Sequence, residues 1–336
     1  MKVIFFNISL LFIGLSFFSC SEEKIETPTE VKPVVIPEKA YVLAEQSKTS
    51  IVIMDAETKK NIWSWDPFTA GVPYTYVQLF KNPSEVKPVF NRKYILMTAS
   101  GGAVALIRIS DHKLMFCGNA GRNPHSAEIL PDGNIVTASS SDHLISTFVT
   151  DTVKVFCSAN KTLKLGDAHN VVWDKKRELI YATASVKNSN NENCVGLFSF
   201  EYNGKGQNPE LVNMKRIKTK EDDRGAHDLF PVEGETDKLW LTTLNKVYKY
   251  NVELNDFKEA FEIEAFKIED IKSIDKMGNE IIMLKPIEEW WTDGLINEKG
   301  ENLFKLKGSK IYKGRWMRDN LFSYPEVHEF VLSNDN

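Results

Sequence analysis

What this chain lacks narrows it first. Cysteine is scarce, with four in 336 residues, and none is spaced as C-x-x-C or as another metal-ligand set. Beyond Cys20 only Cys117, Cys157 and Cys194 remain. That odd number excludes a full disulfide framework and leaves each as a small apolar side chain, although one pair could bridge in an oxidising compartment. A basic surplus is missing as well. The formal net charge is -4, so no nucleic acid is expected as a partner. Amphipathic helix is nearly absent between residues 40 and 320. No HExxH, nucleophile elbow or paired-acid motif occurs. Gly101-Gly102 lacks the strand–GxGxxG–helix context of a dinucleotide site and reads as a hairpin turn.

What is there is strand. Runs such as "AYVLAEQ", "SIVIMDA", "YILMTAS", "LIYATAS" and "KLWLTTL" are rich in Val, Ile, Tyr and Trp, and polar turns separate them. Trp63 and Trp65 alternate onto one strand face, where core is the expectation. Five segments fit one template of strand, polar turn and a more apolar strand. Their matched first positions are Ser84, His125, His169, His227 and Asp270, spaced 41, 44, 58 and 43 residues apart. The longest gap contains "VKNSNNEN" and "EYNGKGQNPE". A first unit, "KAYVLAEQSKTSIVIMDAETKKNIWSWDP", precedes them without the signature.

A period of about 40–50 residues with about four strands per unit predicts a β-propeller. The expected fold is all-β, a six-bladed propeller of four-stranded antiparallel blades over residues 40–336, although five or seven blades also fit the spacing. A single blade cannot bury both of its faces, whereas a ring of blades can. Closure should join the two ends of the chain through a strand near "KIYKGRWM".

Several stretches together carry a resemblance: "NPSEVKPV", "TASGGAVALI", "NPHSAEILPDGNIVTASS", "AHNVVWD", "GAHDLFP", "EEWWTD" and "YKGRWM". They resemble a family of uncharacterised bacterial six-bladed propellers labelled only as a domain of unknown function, over roughly residues 40–318. The resemblance implies the fold and brings no activity or catalytic residues with it.

The N-terminus reads as a leader. Lys2 precedes the apolar "VIFFNISLLFIGLSFFS", which ends at Cys20. Residues 1–19 resemble a lipoprotein signal peptide, with Phe17 and Phe18 standing where small residues are usual. Cys20 would then carry lipid and make the membrane a partner. Residues 20–39, acidic and proline-bearing, are expected to be a flexible tether. The acidic run after Cys20 resembles the surface-export signal of Bacteroidetes lipoproteins. It points to an exported protein of the outer membrane, periplasmic or surface-facing.

In a propeller the innermost strand of each blade begins near one mouth of the channel. His125, His169 and His227 would meet there, flanked by Ser84, Glu85 and Asp270. Three readings follow. In the first the histidines brace blades, as in WD-type propellers; "SSSD" offers Asp142 to His125, and Asn245 is the nearest candidate for His227. In the second the mouth binds a ligand. Arg122 and Arg224 each stand three residues before a histidine, and Asp167 two before His169. Paired arginines favour carboxylate or phosphate, hence an anionic carbohydrate or glycan fragment. The third gives His125, His169 and His227 a divalent transition metal and the chain a polysaccharide lyase or hydrolase activity. Trp290 and Trp291 would face opposite sides of a strand, one packing between blades and the other free to stack on a sugar. His112, His143 and His328 carry no signal.

Overall fold

The β-branched runs pair with their neighbours in sequence, and each group of hairpins makes a blade. The computed structural model describes residues 34–151, 154–204, 208–260 and 269–324. The leader, Cys20, most of the tether and His328 lie outside the described residues. Among the described residues the strands form six sheets, read here as blades 1 to 6. The innermost strands of blades 2 to 6 are Pro83–Val89, Pro124–Ile129, Asn170–Asp174, Asp228–Pro231 and Ser273–Met277. In each blade the chain then runs outward by antiparallel hairpins. Blade 2 gains a fifth, parallel strand, Phe156–Cys157, laid beside Leu114–Asn119.

Blade 1 closes the ring. Its inner strand is Ile311–Trp316, from the end of the chain, and it pairs antiparallel with Ala40–Glu45 from the beginning. The strand expected from "KIYKGRWM" is therefore the closing one. Each inner strand contacts those of the two adjacent blades, and blade 6 meets blade 1. A six-bladed, all-β propeller is thus the architecture.

The core lies in the seams between blades rather than at the axis. Leu43, Val52 and Trp316 of blade 1 pack on Ile282, Leu295 and Phe304 of blade 6. Leu96, Val104 and Phe116 of blade 2 pack on Ala127, Ile135 and Phe148 of blade 3. Four more such clusters fill the other seams. Trp63 and Trp65 are buried as expected, their indole N–H groups donating to the Ile109 and His112 carbonyls at 3.0 Å each. Every inner strand starts at one mouth of the ring and ends at the other. The chain therefore enters blade 1 at Ala40 on the far side, opposite the histidines, because Ala40–Glu45 runs antiparallel to Ile311–Trp316.

The far mouth is closed by the chain itself. After Trp316, residues 317–324 cross it. The Met317 carbonyl accepts from Arg92 at 3.3 Å, and the Tyr324 carbonyl accepts from Lys175 at 2.6 Å. The Tyr324 hydroxyl bonds the Glu128 carboxylate, and the Ile129 N–H donates to that hydroxyl at 3.2 Å.

Candidate functional site: a histidine cup at the near mouth

Two local devices aim the histidines. In blade 3 the register jumps from Pro124 opposite Ser139 to Ser126 opposite Ala138, so His125 is left at a bulge. His169 and His227 instead stand one residue ahead of their strands. Their N–H groups donate to the Thr183 and Thr242 carbonyls at 3.1 and 3.0 Å. The corresponding residue of blade 6 is Lys272, whose N–H donates to the Leu284 carbonyl at 2.9 Å. This corrects the template, which placed Asp270 there. The blade 6 hairpin is shorter, so matching by length slips back to Asp270, which sits at the level of Asp167.

The three imidazoles converge. His125 and His169 stack with centroids 4.6 Å apart and planes 7° from parallel. His227 meets His169 edge-on at 6.0 Å and 71°. From blade 1, Tyr312 lies beside His125, its hydroxyl 3.2 Å from Nδ1. Lys272 Nζ reaches His227 Nε2 at 2.8 Å and Asp270 Oδ1 at 2.7 Å.

His227 Nε2 lies between two groups, 2.8 Å from Lys272 Nζ and 3.2 Å from the Asp270 carboxylate, while its Nδ1 is buried and has no partner. His169 Nδ1 donates to the Asp167 carbonyl at 2.9 Å, which leaves its Nε2 lone pair free.

All three rings are neutral near pH 7. Burial, then the neighbouring His169 and Lys313, holds His125 well below the usual imidazole range. Burial lowers His169 despite Asp167. Burial outweighs the Asp270 hydrogen bond and lowers His227 to about 4, with Lys272 adding to the shift. Burial also lowers Lys272. It opposes ionisation of Asp270, but hydrogen bonds from His227 and Lys272 prevail and keep that carboxyl low.

Beneath the cup lies a floor of buried charge. Arg315 donates to both oxygens of Asp228 at 2.6 Å and to both of Glu85 at 3.1 Å. Lys313 reaches Glu85 at 3.1 Å and Asp228 at 3.3 Å. The guanidinium lies 3.9 Å over the Phe230 ring. Burial opposes the charge on Asp228, but Arg315 and Lys313 overcome it and bring the carboxyl to about 2. Lys87, 3.2 Å from Glu128, continues the cluster toward Tyr324.

The sequence-predicted residues divide accordingly. His125, His169, His227 and Asp270 share the cup. Glu85 is not at the rim; it is buried in the floor. Asp142 does not brace His125. It accepts from Arg122 Nε at 2.7 Å and from the Arg122 N–H at 2.7 Å. Asn245 does not brace His227 either; it donates to Asp223 at 2.8 Å. Asp223 is the residue that holds the blade 5 hairpin, accepting from Thr243 at 2.6 Å and Tyr248 at 3.0 Å. Arg224 is exposed on the rim.

The metal reading does not find its geometry. Among the described residues no group of three His, Cys, Asp or Glu could hold a metal ion. Stacked rings turn faces, not lone pairs, toward each other. Tyr312, Lys272, Lys313, Arg315 and Asp228 were not read from the sequence as site residues. The one available signal was the alternation of "IYKGRW", which puts Lys313 and Arg315 on one strand face.

One family model matches residues 1–334, described as a family of unknown function, DUF6528. The chain belongs to that family. The resemblance to uncharacterised propellers is thereby borne out. The fold of this DUF6528 member is similar to a chain in a crystal structure of a nidogen/laminin complex. The TM-score is 0.53 at 11% identity, covering 83% of this chain and 98% of that one. It is also similar to a protein of unknown function from Bacteroides caccae, with TM-score 0.52, 13% identity, and coverage of 83% and 98%. At such identities both likenesses concern the fold alone. No curated protein matches the chain.

Proposed function

We propose that this DUF6528 member is a binding propeller whose histidine cup takes a carboxylate-bearing sugar residue. The observation that carries the reading is the convergence of three neutral imidazoles from three blades, none spent on bracing its own hairpin. Neutral imidazole offers one donor and one acceptor, which suits hydroxyl-rich ligands. A positive charge favouring an anion is that of Arg224, exposed on the rim, since Arg122 is paired with Asp142 and Lys272 with Asp270.

Calorimetric titration of the full chain with D-glucuronate, D-galacturonate and D-glucose tests it. A uronate should bind more tightly than the neutral hexose, and His169→Ala should abolish binding with little change in melting temperature. Absence of uronate binding would refute the reading. A large fall in melting temperature with binding intact would replace it with a bracing role.

A further inference from the structure

Beside the cup, the loop between Glu280–Leu284 and Gly294–Ile296 of blade 6 raises an indole into solvent. It is built as a tight turn. The Trp291 N–H donates to the Glu288 carbonyl at 3.0 Å, and Glu289 adopts φ +46°, a conformation uncommon for a residue with a side chain. Trp290 stands at the tip with 46% of its surface exposed. An indole so exposed usually swings freely, but this one is held. Its N–H donates to Gln46 Oε1 at 3.0 Å, and Gln46 in turn donates to the Pro83 carbonyl at 3.1 Å.

Two independent chains of contacts tie this turn to the cup. Pro83 precedes Ser84, whose hydroxyl donates at 2.5 Å to the carbonyl of Pro124, the residue before His125. On the other side Thr292 exchanges backbone hydrogen bonds with Ile311 at 2.7 and 3.0 Å, and Ile311 precedes Tyr312. Trp291 is fixed under the Lys310 ammonium, 4.4 Å from the ring centroid. Trp290 is thus a rigid, half-exposed aromatic face at the same mouth, bordered by the exposed polar side chains of Glu288, Glu289 and Lys310.

We infer that Trp290 forms a second sugar subsite, so that the ligand is an oligosaccharide of at least two residues; this rests on the cup reading above. A pyranose presents one face of C–H bonds with hydroxyls at its edge. An indole of fixed orientation with charged groups at its border complements both. A protein contact at this place would favour an apolar surround; here Ile287 is exposed beside Trp290, but Glu288, Glu289 and Lys310 outnumber it.

A length series tests the inference. The full chain is titrated with galacturonate alone and with galacturonate extended by one and by two neutral hexoses, alongside Trp290→Ala and Trp290→Phe. The wild type should bind the disaccharide about fivefold to tenfold more tightly than the monosaccharide. Trp290→Ala should lose that gain while keeping monosaccharide affinity, and Trp290→Phe should restore most of it. Equal gains with chain length in wild type and Trp290→Ala would overturn the subsite and leave the cup standing. Self-association of the wild type that Trp290→Ala removes, with sugar binding unchanged, would overturn it in favour of a protein contact. If no galacturonate of any length binds, both readings fall.

Discussion

Acid should weaken this fold through one ring in particular. His227 titrates near 4 in the folded chain, against 6.5 for an unperturbed imidazole. Between those values the unfolded chain binds a proton that the folded chain refuses, so stability is present above pH 6.5 and is lost as pH falls toward 4. Linkage over that window gives roughly 2–2.5 kcal/mol of lost stability at pH 4.5 relative to pH 7 from this group alone. Glutamine is the informative replacement. Its amide oxygen can still accept from Lys272, but the side chain does not titrate. Urea unfolding followed by tryptophan fluorescence at pH 7 and at pH 4.5 would measure the difference. Ionisable groups that do not face His227 contribute equally to wild type and to His227→Gln and cancel, whereas Asp270 and His169, which face it, leave a smaller remainder. The wild type should lose about 2 kcal/mol more than the variant across the interval. Parallel losses within about 0.5 kcal/mol would refute the assignment of a buried, neutral His227 bonded to Lys272.

Two further outcomes follow from other parts of the molecule. Arg315→Met leaves Asp228 and Glu85 buried with Lys313 as their remaining shared cation, and should cost about 3–5 kcal/mol in chemical denaturation; a loss below about 1 kcal/mol would show the cluster to be hydrated. Cys20→Ser should move the protein from the membrane to the soluble fraction of cells, and unchanged membrane association would dismiss the lipid anchor.

The ring was legible because a propeller repeats one problem. Every blade needs a polar turn between two apolar strands, and "PHSAEILPDGNIVTASS" shows that pattern as clearly as "AHNVVWDKKRELIYATAS". The convergence of His125, His169 and His227 followed from the same periodicity. What periodicity could not reveal was anything set by a change of strand or turn length. Lys272 was hidden by the short hairpin around Gly278, and Glu85 was turned inward by the bulge at Ser84. Tyr312, Lys313 and Arg315 belong to the closing strand, which lacks the repeat's signature. Arg315 meets Glu85 across 230 positions of sequence, a distance no local pattern spans. Asp142 was given to the wrong side chain: it pairs with Arg122, which carries a permanent charge, and not with His125.

The direction of the first strand has a consequence for orientation. Because Ala40 begins at the back of the ring and residues 317–324 cross that side, the histidine cup opens on the face opposite the point where blade 1 begins. Among the described residues, the route into the cup lies on the histidine side.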